Sequence, residues 1–271
     1  MSRILHVKNL SFDFPVRSNK KEWINILNDI NFSIEKGQIV GLVGKSGCGK
    51  TTLGKILVNY FHLNRERHRL RGEIYYNNGK NTYQLNSREY MHAFKIQPIQ
   101  MIFQNPKKSL DLRMRAKDQL VEAICVKNNY SKKEIQDKLA DLSSKYKIET
   151  KLDSFPMNMS GGERRRLGIA KIIATEPKII IADEPVASLD VSIKYEIMDT
   201  ILDLRDKGYT IIIISHDINL VKNNADMIFA MDSGTLVEKW NPTTKPVEPA
   251  TNKLLMDSDE VNSSLKGIIP D

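Results

Sequence analysis

The sequence contains no long apolar run. Its most hydrophobic stretches, such as Ile211–Ile214, fall far short of the roughly 20 residues a helix needs to cross a bilayer. Its N-terminal stretch, MSRILHVKNLSF, has no signal-peptide core. Both absences predict a cytoplasmic chain that serves a membrane only by docking to another subunit. Cysteine is scarce: Cys48 and Cys125 alone cannot build a disulfide framework or a multi-cysteine metal cluster, so a reducing compartment is expected. There is no internal repeat and no low-complexity segment. The net charge of +8 suits anionic partners. With no aromatic platform or recognised binding module beside it, however, no nucleic-acid partner is expected. His62 and His68 in FHLNRERHRLRG have no cysteine or carboxylate pattern around them and read as solvated basic surface.

The chain does have enough apolar residues, 41% of 271, to bury a sizeable core as one large domain or two small ones. LHVKNLSF and INFSI alternate as short strands, Glu35-Lys36-Gly37 reads as a turn, and GEIYYNN is a further strand. The run Ile39–Val43 predicts a buried strand and TLGKILVNYF a helix. Between them lies GKSGCGKTT, Gly44 to Thr52. Its spacing at Gly44, Gly49, Lys50 and Thr51 fits the phosphate-binding pattern G-x-x-x-x-G-K-[ST]. Glycine reaches backbone conformations barred to residues with a β-carbon, so successive N–H groups can form an anion-binding nest at a helix N-terminus. Lys50 would reach the β and γ oxygens of a nucleotide, and Thr51 would ligate Mg²⁺. A flexible turn on a basic surface is the plainer reading, and Cys48 reads as a small tolerated residue within it.

A second pattern is KIIIADEP, a β-branched run ending in Asp183 and Glu184 at the C-terminal edge of a strand, where parallel α/β sheets bind ligands. Asp183 would hold Mg²⁺ through its water shell, and Glu184 would orient or deprotonate an attacking water. From about Pro106 to Lys147 the sequence predicts amphipathic helix, with Leu120, Val121 and Ile124 on one face and Ile135, Leu139 and Leu142 on another. Ser131 and Glu134 form a capping-box pair there. Ser160-Gly161-Gly162-Glu163 also reads as a capping box, yet two glycines in a first helical turn cost about 1 kcal/mol each relative to alanine. Bare amides there suit close approach by a phosphate. A second cradle makes sense if it faces the nucleotide of a neighbouring subunit. Strands at Lys178–Ala182 and Thr210–Ile214 flank the helix SIKYEIMDTILDLRDKG, which implies a right-handed crossover and a parallel sheet. The proline-rich NPTTKPVEP is expected to be a loop leading to a short C-terminal arm.

Together these motifs resemble the ATP-binding cassette (ABC) ATPases over nearly the whole chain. Walker A is GKSGCGKT, the Q-loop MIFQNP with Gln104, the signature MSGGE, Walker B IIIADE, the D-loop ASLD with Asp190, and the switch histidine His216 in IISHD. The resemblance implies an α/β fold: a P-loop NTPase core with a mainly parallel sheet, an N-terminal antiparallel β subdomain and a helical insertion. It places the ATPase domain over 1–240, with a helical subdomain at roughly 105–175, and leaves 241–271 as a short extension. It also implies ATP held by Gly44, Ser46, Gly47, Cys48, Gly49, Lys50, Thr51 and Thr52 of one chain and by Ser160, Gly161, Gly162, Glu163 and Asp190. Thr51, Gln104 and Asp183 serve Mg²⁺; Glu184, His216 and Gln104 are the catalytic group. Phe14 in LSFDF either stacks on adenine or is ordinary strand packing, with Trp23 as its substitute.

FQNPKKSLDLRM, EPVASLDVSI and EPATNKLLMDS narrow the resemblance to the ATP-binding subunits of the oligopeptide, dipeptide and nickel importers. That implies hydrolysis at the cytoplasmic face of the cell membrane, driving import. The partners are a second cassette packed head to tail, two membrane permease subunits, and an extracytoplasmic substrate-binding protein acting through them. Glu163 stands where the family more often has glutamine, which sets a carboxylate near the partner's γ-phosphate. The C-terminal cysteines that hold an iron–sulfur cluster in some members are missing, so no cluster is expected. The alternative is a soluble ABC ATPase of a multi-enzyme complex such as carbon–phosphorus lyase.

Overall fold

A computed structural model describes residues 2–16, 21–87, 90, 97–105, 109–187, 189–249 and 251–252. The chain forms two compact units, Met1–Met91 with Thr210–Asp271, and His92–Tyr209.

In the first unit, β1 (Arg3–Pro15) pairs antiparallel with β2 (Trp23–Glu35) on one side and β4 (Arg69–Asn77) on the other, and β5 (Thr82–Gln84) extends β4. The inward residues of β1 are Leu5 and Val7, then Leu10 and Phe12, so the alternation slips by one residue. A bulge causes this. The register shifts between Val7 and Leu10, Asn9 is left-handed at φ 49°, and its carbonyl crowds the sheet so closely that a β-carbon on Gly72 would come within 2.3 Å of it.

The unit's other sheet is built on β3 (Ile39–Gly44), buried along its whole length between two parallel neighbours, β8 (Thr210–Ile214) and β9 (Met227–Asp232). A strand covered on both faces has no polar side, which is why these segments read as unbroken apolar runs. β10 (Thr235–Trp240) closes the edge antiparallel to β9. Helix α1 (Lys50–Leu57) follows β3 directly. It is shorter than the apolar spacing predicts because Asn59 turns left-handed at φ 55° and gives its side-chain amide to Leu85 O. The chain restarts as a single turn, α2 (Tyr60–Leu63). Beyond β10, the backbone amides of Val247 and Glu248 donate to the Glu238 carboxylate, so the proline-rich loop doubles back on the last strand. Of the predicted extension 241–271 and its EPATNKLLMDS segment, Ala250 and residues 253–271 lie outside the described residues, as do Pro106–Lys108 of FQNPKKSLDLRM and Ser188 of the D-loop.

In the second unit β6 (Ile99–Ile102) and β7 (Ile179–Asp183) pair in parallel. The predicted helical stretch resolves into α3 (Ala116–Cys125) and α4 (Lys132–Lys145). Residues 109–115 are turns rather than helix because the fully buried Gln119 satisfies their backbone. Its amide donates to Asp111 O and Met114 O and its carbonyl accepts Asp111 N–H. The Ser131–Glu134 capping box opens α4 as read, with both reciprocal bonds present. Helices α5 (Gly161–Ala174) and α6 (Val191–Asp206) complete the unit, and α3, α4 and α6 all pack on α5. Among the described residues no helix is long and apolar enough to cross a membrane.

Helix α7 (Ile218–Asn224) covers β3, and a β-carbon on Gly41 would sit 1.9 Å from a methyl of Val221. Gly41→Ala is therefore expected to cost about 1–3 kcal/mol by overpacking. Denaturant titration should show much of that loss recovered in Gly41→Ala/Val221→Ala.

Candidate nucleotide site

The turn between β3 and α1 is fixed by what surrounds its glycines. A β-carbon at Gly44 would meet Met231 O at 2.3 Å, and one at Gly49, where φ is +107°, would meet a Leu27 methyl at 2.7 Å. Gly47 has open space around it but takes φ +82°, which side chains resist. Lys50 opens α1 and folds back into the loop. Its ammonium donates to Gly44 O at 2.7 Å and Lys45 O at 2.9 Å, and its side chain is only 8% exposed. Lys45, Ser46, Gly47 and Thr51 face solvent, and Thr52 is half-buried. The first bond that closes the helix runs from Leu53 N–H to Gly49 O, so the amides before it lie at the positive end of α1. The loop holds one fixed cation and helix-end amides, with no carboxylate between Gly44 and Thr52; that set of groups suits a polyphosphate. Cys48 is buried beneath the loop with its sulfur 3.8 Å from Lys50 Nζ.

Other residues singled out in the sequence also belong to this unit. His216 lies exposed just past β8, between Ser215, whose hydroxyl accepts Asp217 N–H, and Asp217, whose carboxylate caps α7. Phe14 packs edge-on against Phe12 and Phe61 at 4.8 and 5.0 Å between centroids, within β1. Trp23 has Arg69 over its ring face at 3.9 Å. His68 stacks on Phe12 and His62 is exposed.

In the second unit every residue of β7 is buried, Asp183 included at 3% exposure. The chain then reverses at once. Glu184 adopts the left-handed region at φ +46°, and its carbonyl accepts Ala187 N–H. That conformation costs about 1–2 kcal/mol for a residue with a β-carbon, and Pro185 restricts it further. Strain of this kind persists where a side chain must be aimed. Asp190 is the N-cap residue of α6, its carbonyl accepting Lys194 N–H.

Ser160 caps α5 as a full capping box. Its hydroxyl accepts Glu163 N–H at 3.2 Å, and the Glu163 carboxylate accepts Ser160 N–H at 2.7 Å. A β-carbon on Gly161 would touch nothing within 4 Å, so the surroundings do not demand glycine there; Gly162 is buried against Ile193. The bond from Ser160 N–H, with help from Lys151 Nζ at 3.4 Å, holds the Glu163 carboxyl below its usual range. The carboxylate is thus turned back on its own helix and partly neutralised.

Sequence reading passed over two residues here, Lys151 and Arg165. The 3%-exposed Arg165 sends one guanidinium N–H to Phe103 O at 2.6 Å and another to Gln104 O at 2.9 Å. Gln104 itself is exposed just past β6. The run ERRR looks like a charged surface, but Arg165 falls on the same helical stripe as Gly162, Ile169 and Ile172, all buried. That phase was the available signal.

Because the folded-state pKa of Glu163 is lowered, its contribution to stability is fully present above its ordinary value near 4.5 and is lost as pH falls through the lower folded value. Glu163→Ala is expected to cost about 1 kcal/mol at pH 7 through loss of the reciprocal cap. Its melting curve, followed from pH 7 to pH 3, should fall less steeply on the acid side than that of the unaltered chain.

The family model described as "ABC transporter" matches residues 27–187. The dipeptide transport ATP-binding protein DppF of Haemophilus influenzae is 31% identical, over 97% of this chain and 80% of that protein. The oligopeptide transport ATP-binding protein OppF of Streptococcus mutans is 34% identical, over 93% of this chain and 80% of that one. In fold, CbiO1 from Clostridium perfringens, part of the ABC transporter complex CbiONQ, superposes with a TM-score of 0.71 and 25% identity, covering all of this chain and 97% of its own. The ATP-binding cassette MJ0796, as a dimer bound to ADP and phosphate, gives 0.72 at 23% identity, covering 89% of this chain and all of that one. The family model over more than half of the chain and relatives above 30% identity place the chain in the ABC transporter family, as its ATP-binding, ATP-hydrolysing subunit.

Proposed function

We propose that this subunit powers a binding-protein-dependent importer of peptides. The observation that carries the substrate class is the similarity, along almost the whole chain, to proteins named for dipeptide and oligopeptide transport. A relative named for glutathione import points to the same chemistry, a short peptide, and supports it over a nickel complex. The partners on this reading are a second cassette packed head to tail, two membrane permeases and an extracytoplasmic substrate-binding protein. The subunit sits peripherally on the cytoplasmic face of the membrane. The cassette spans 1–240, with the helical insertion at roughly 105–175.

Each ATP lies between the phosphate loop of one chain and Ser160–Gly162 with Asp190 of the other. Lys50 neutralises the β and γ oxygens, the loop amides take further oxygens, and Phe14 serves the adenine. Gly161, open on its own chain, leaves bare backbone for the partner's nucleotide. Thr51, Asp183 and Gln104 would hold Mg²⁺, which when bound draws charge from the phosphoryl oxygens. A hydroxyl, a buried carboxylate and an amide are all hard oxygen donors, which suit that ion. Glu184, turned out of β7 by its left-handed backbone, takes the proton from the attacking water. His216 contacts the γ-phosphate. Loss of that phosphate removes the bridge between chains and lets the dimer open, and the permeases read the motion through the segment at Gln104.

Co-purification is expected to yield two multi-span membrane subunits and an ATPase stimulated by peptide-loaded binding protein. Soluble enzyme subunits in their place, or stimulation by a nickel complex alone, would contradict the assignment. Glu184→Gln should retain ATP binding and turn over at least ~100-fold more slowly; near-normal hydrolysis would remove Glu184 from the mechanism.

A further inference from the structure

Strand β6 ends at Ile102, and in an extended chain the next two carbonyls would point to opposite sides. Here the carbonyls of Phe103 and Gln104 converge on one guanidinium, that of Arg165. Burying an arginine costs free energy that hydrogen bonds to its donors and nearby negative charge offset. This one bonds two carbonyls across some sixty residues of sequence through its two terminal nitrogens, while its Nε is buried without a hydrogen-bond partner among the described residues; the negative charge of Asp183 partly offsets the depression of its pKa by burial. Its planar fork fixes direction as well as distance, which a lysine cannot do.

The neighbouring cations of α5 reach elsewhere. Arg164 donates to Met159 O and Pro156 O, Arg166 pairs with Glu196 of α6, and Lys171 donates to Ser109 O. Among the described residues, Arg165 is the cation of α5 that hydrogen-bonds the backbone at Phe103 and Gln104, beyond the packing of α5 on β6. If Gln104 moves, either α5 moves with it or two charge-assisted bonds break inside the fold.

We propose that Arg165 is a positioning residue that makes the Gln104 segment and the Ser160–Glu163 turn move as one body during turnover. The proposal rests on the reading of Gln104 as part of the nucleotide site.

The test uses the full chain in its native complex, with Arg165→Met, Arg165→Lys and, as a separate control, Gln104→Ala. Arg165→Met is expected to lower kcat about tenfold or more while KM for ATP stays within about threefold, the pattern of a lost transition-state arrangement. Amide exchange at 103–105 should quicken at least about tenfold, with α3 unchanged as an internal reference. Arg165→Lys, which keeps the charge but not the fork, should fall between, and it carries the test alone if the methionine variant fails to fold.

An unchanged kcat, unchanged exchange at 103–105, or a loss of ATP affinity and melting temperature in step with kcat would each overturn the proposal; the last would make Arg165 a packing residue. Full activity in Gln104→Ala would instead overturn the reading of Gln104, and the exchange measurement would still report whether Arg165 holds that segment.

Discussion

The loop between β3 and α1 depends on an ammonium group turned back onto the chain that carries it. Lys50 lies against Gly44 O and Lys45 O, and that contact is possible only because the backbone between them takes turns that residues with a β-carbon resist. Much of the surrounding fold keeps that arrangement in place. β3 is locked between two parallel neighbours, Met231 of β9 closes over Gly44, and Leu27 of β2 closes over Gly49. Gly44 and Gly49 are there because the fold leaves no room for a β-carbon, and Gly47 because its backbone is left-handed.

The second unit works by a related economy. Among the described residues, its polar side chains reach backbone carbonyls more often than opposite charges: Gln119 organises the turns at 109–115, and Arg165 the end of β6. Carbonyls are held in place by the fold, so such contacts fix backbone geometry more firmly than exposed ion pairs, which contribute little on their own. The Ser160–Glu163 turn shows the same logic: the Glu163 carboxylate is occupied by the helix's own amide and by Lys151.

Most of this was legible in the sequence wherever a pattern has one physical cause. Buried parallel strands, capping boxes and the glycine spacing of the loop each follow from local chemistry, and Ser131, Ser160 and Gly49 do what their neighbours imply. Three features were not legible because their causes are long-range. The helix expected through Phe61 breaks at Asn59 because a carbonyl at Leu85 takes its side chain. Residues 109–115 are held as turns rather than helix by Gln119. Arg165 hides in a run of charges and is buried by partners some sixty residues away. Phe14 had two readings; its rings at β1 show the strand packing directly, and its service to adenine remains part of the proposed mechanism.

The central claim is that the fixed ammonium of Lys50 holds the nucleotide's phosphates. Calorimetric titration of magnesium ATP into the Lys50→Met variant, with folding checked by melting temperature, tests it most directly. Affinity at least ~10-fold below that of the unaltered chain is predicted, the loss of one desolvated charge-assisted contact. Equal affinity in a folded variant would contradict the account.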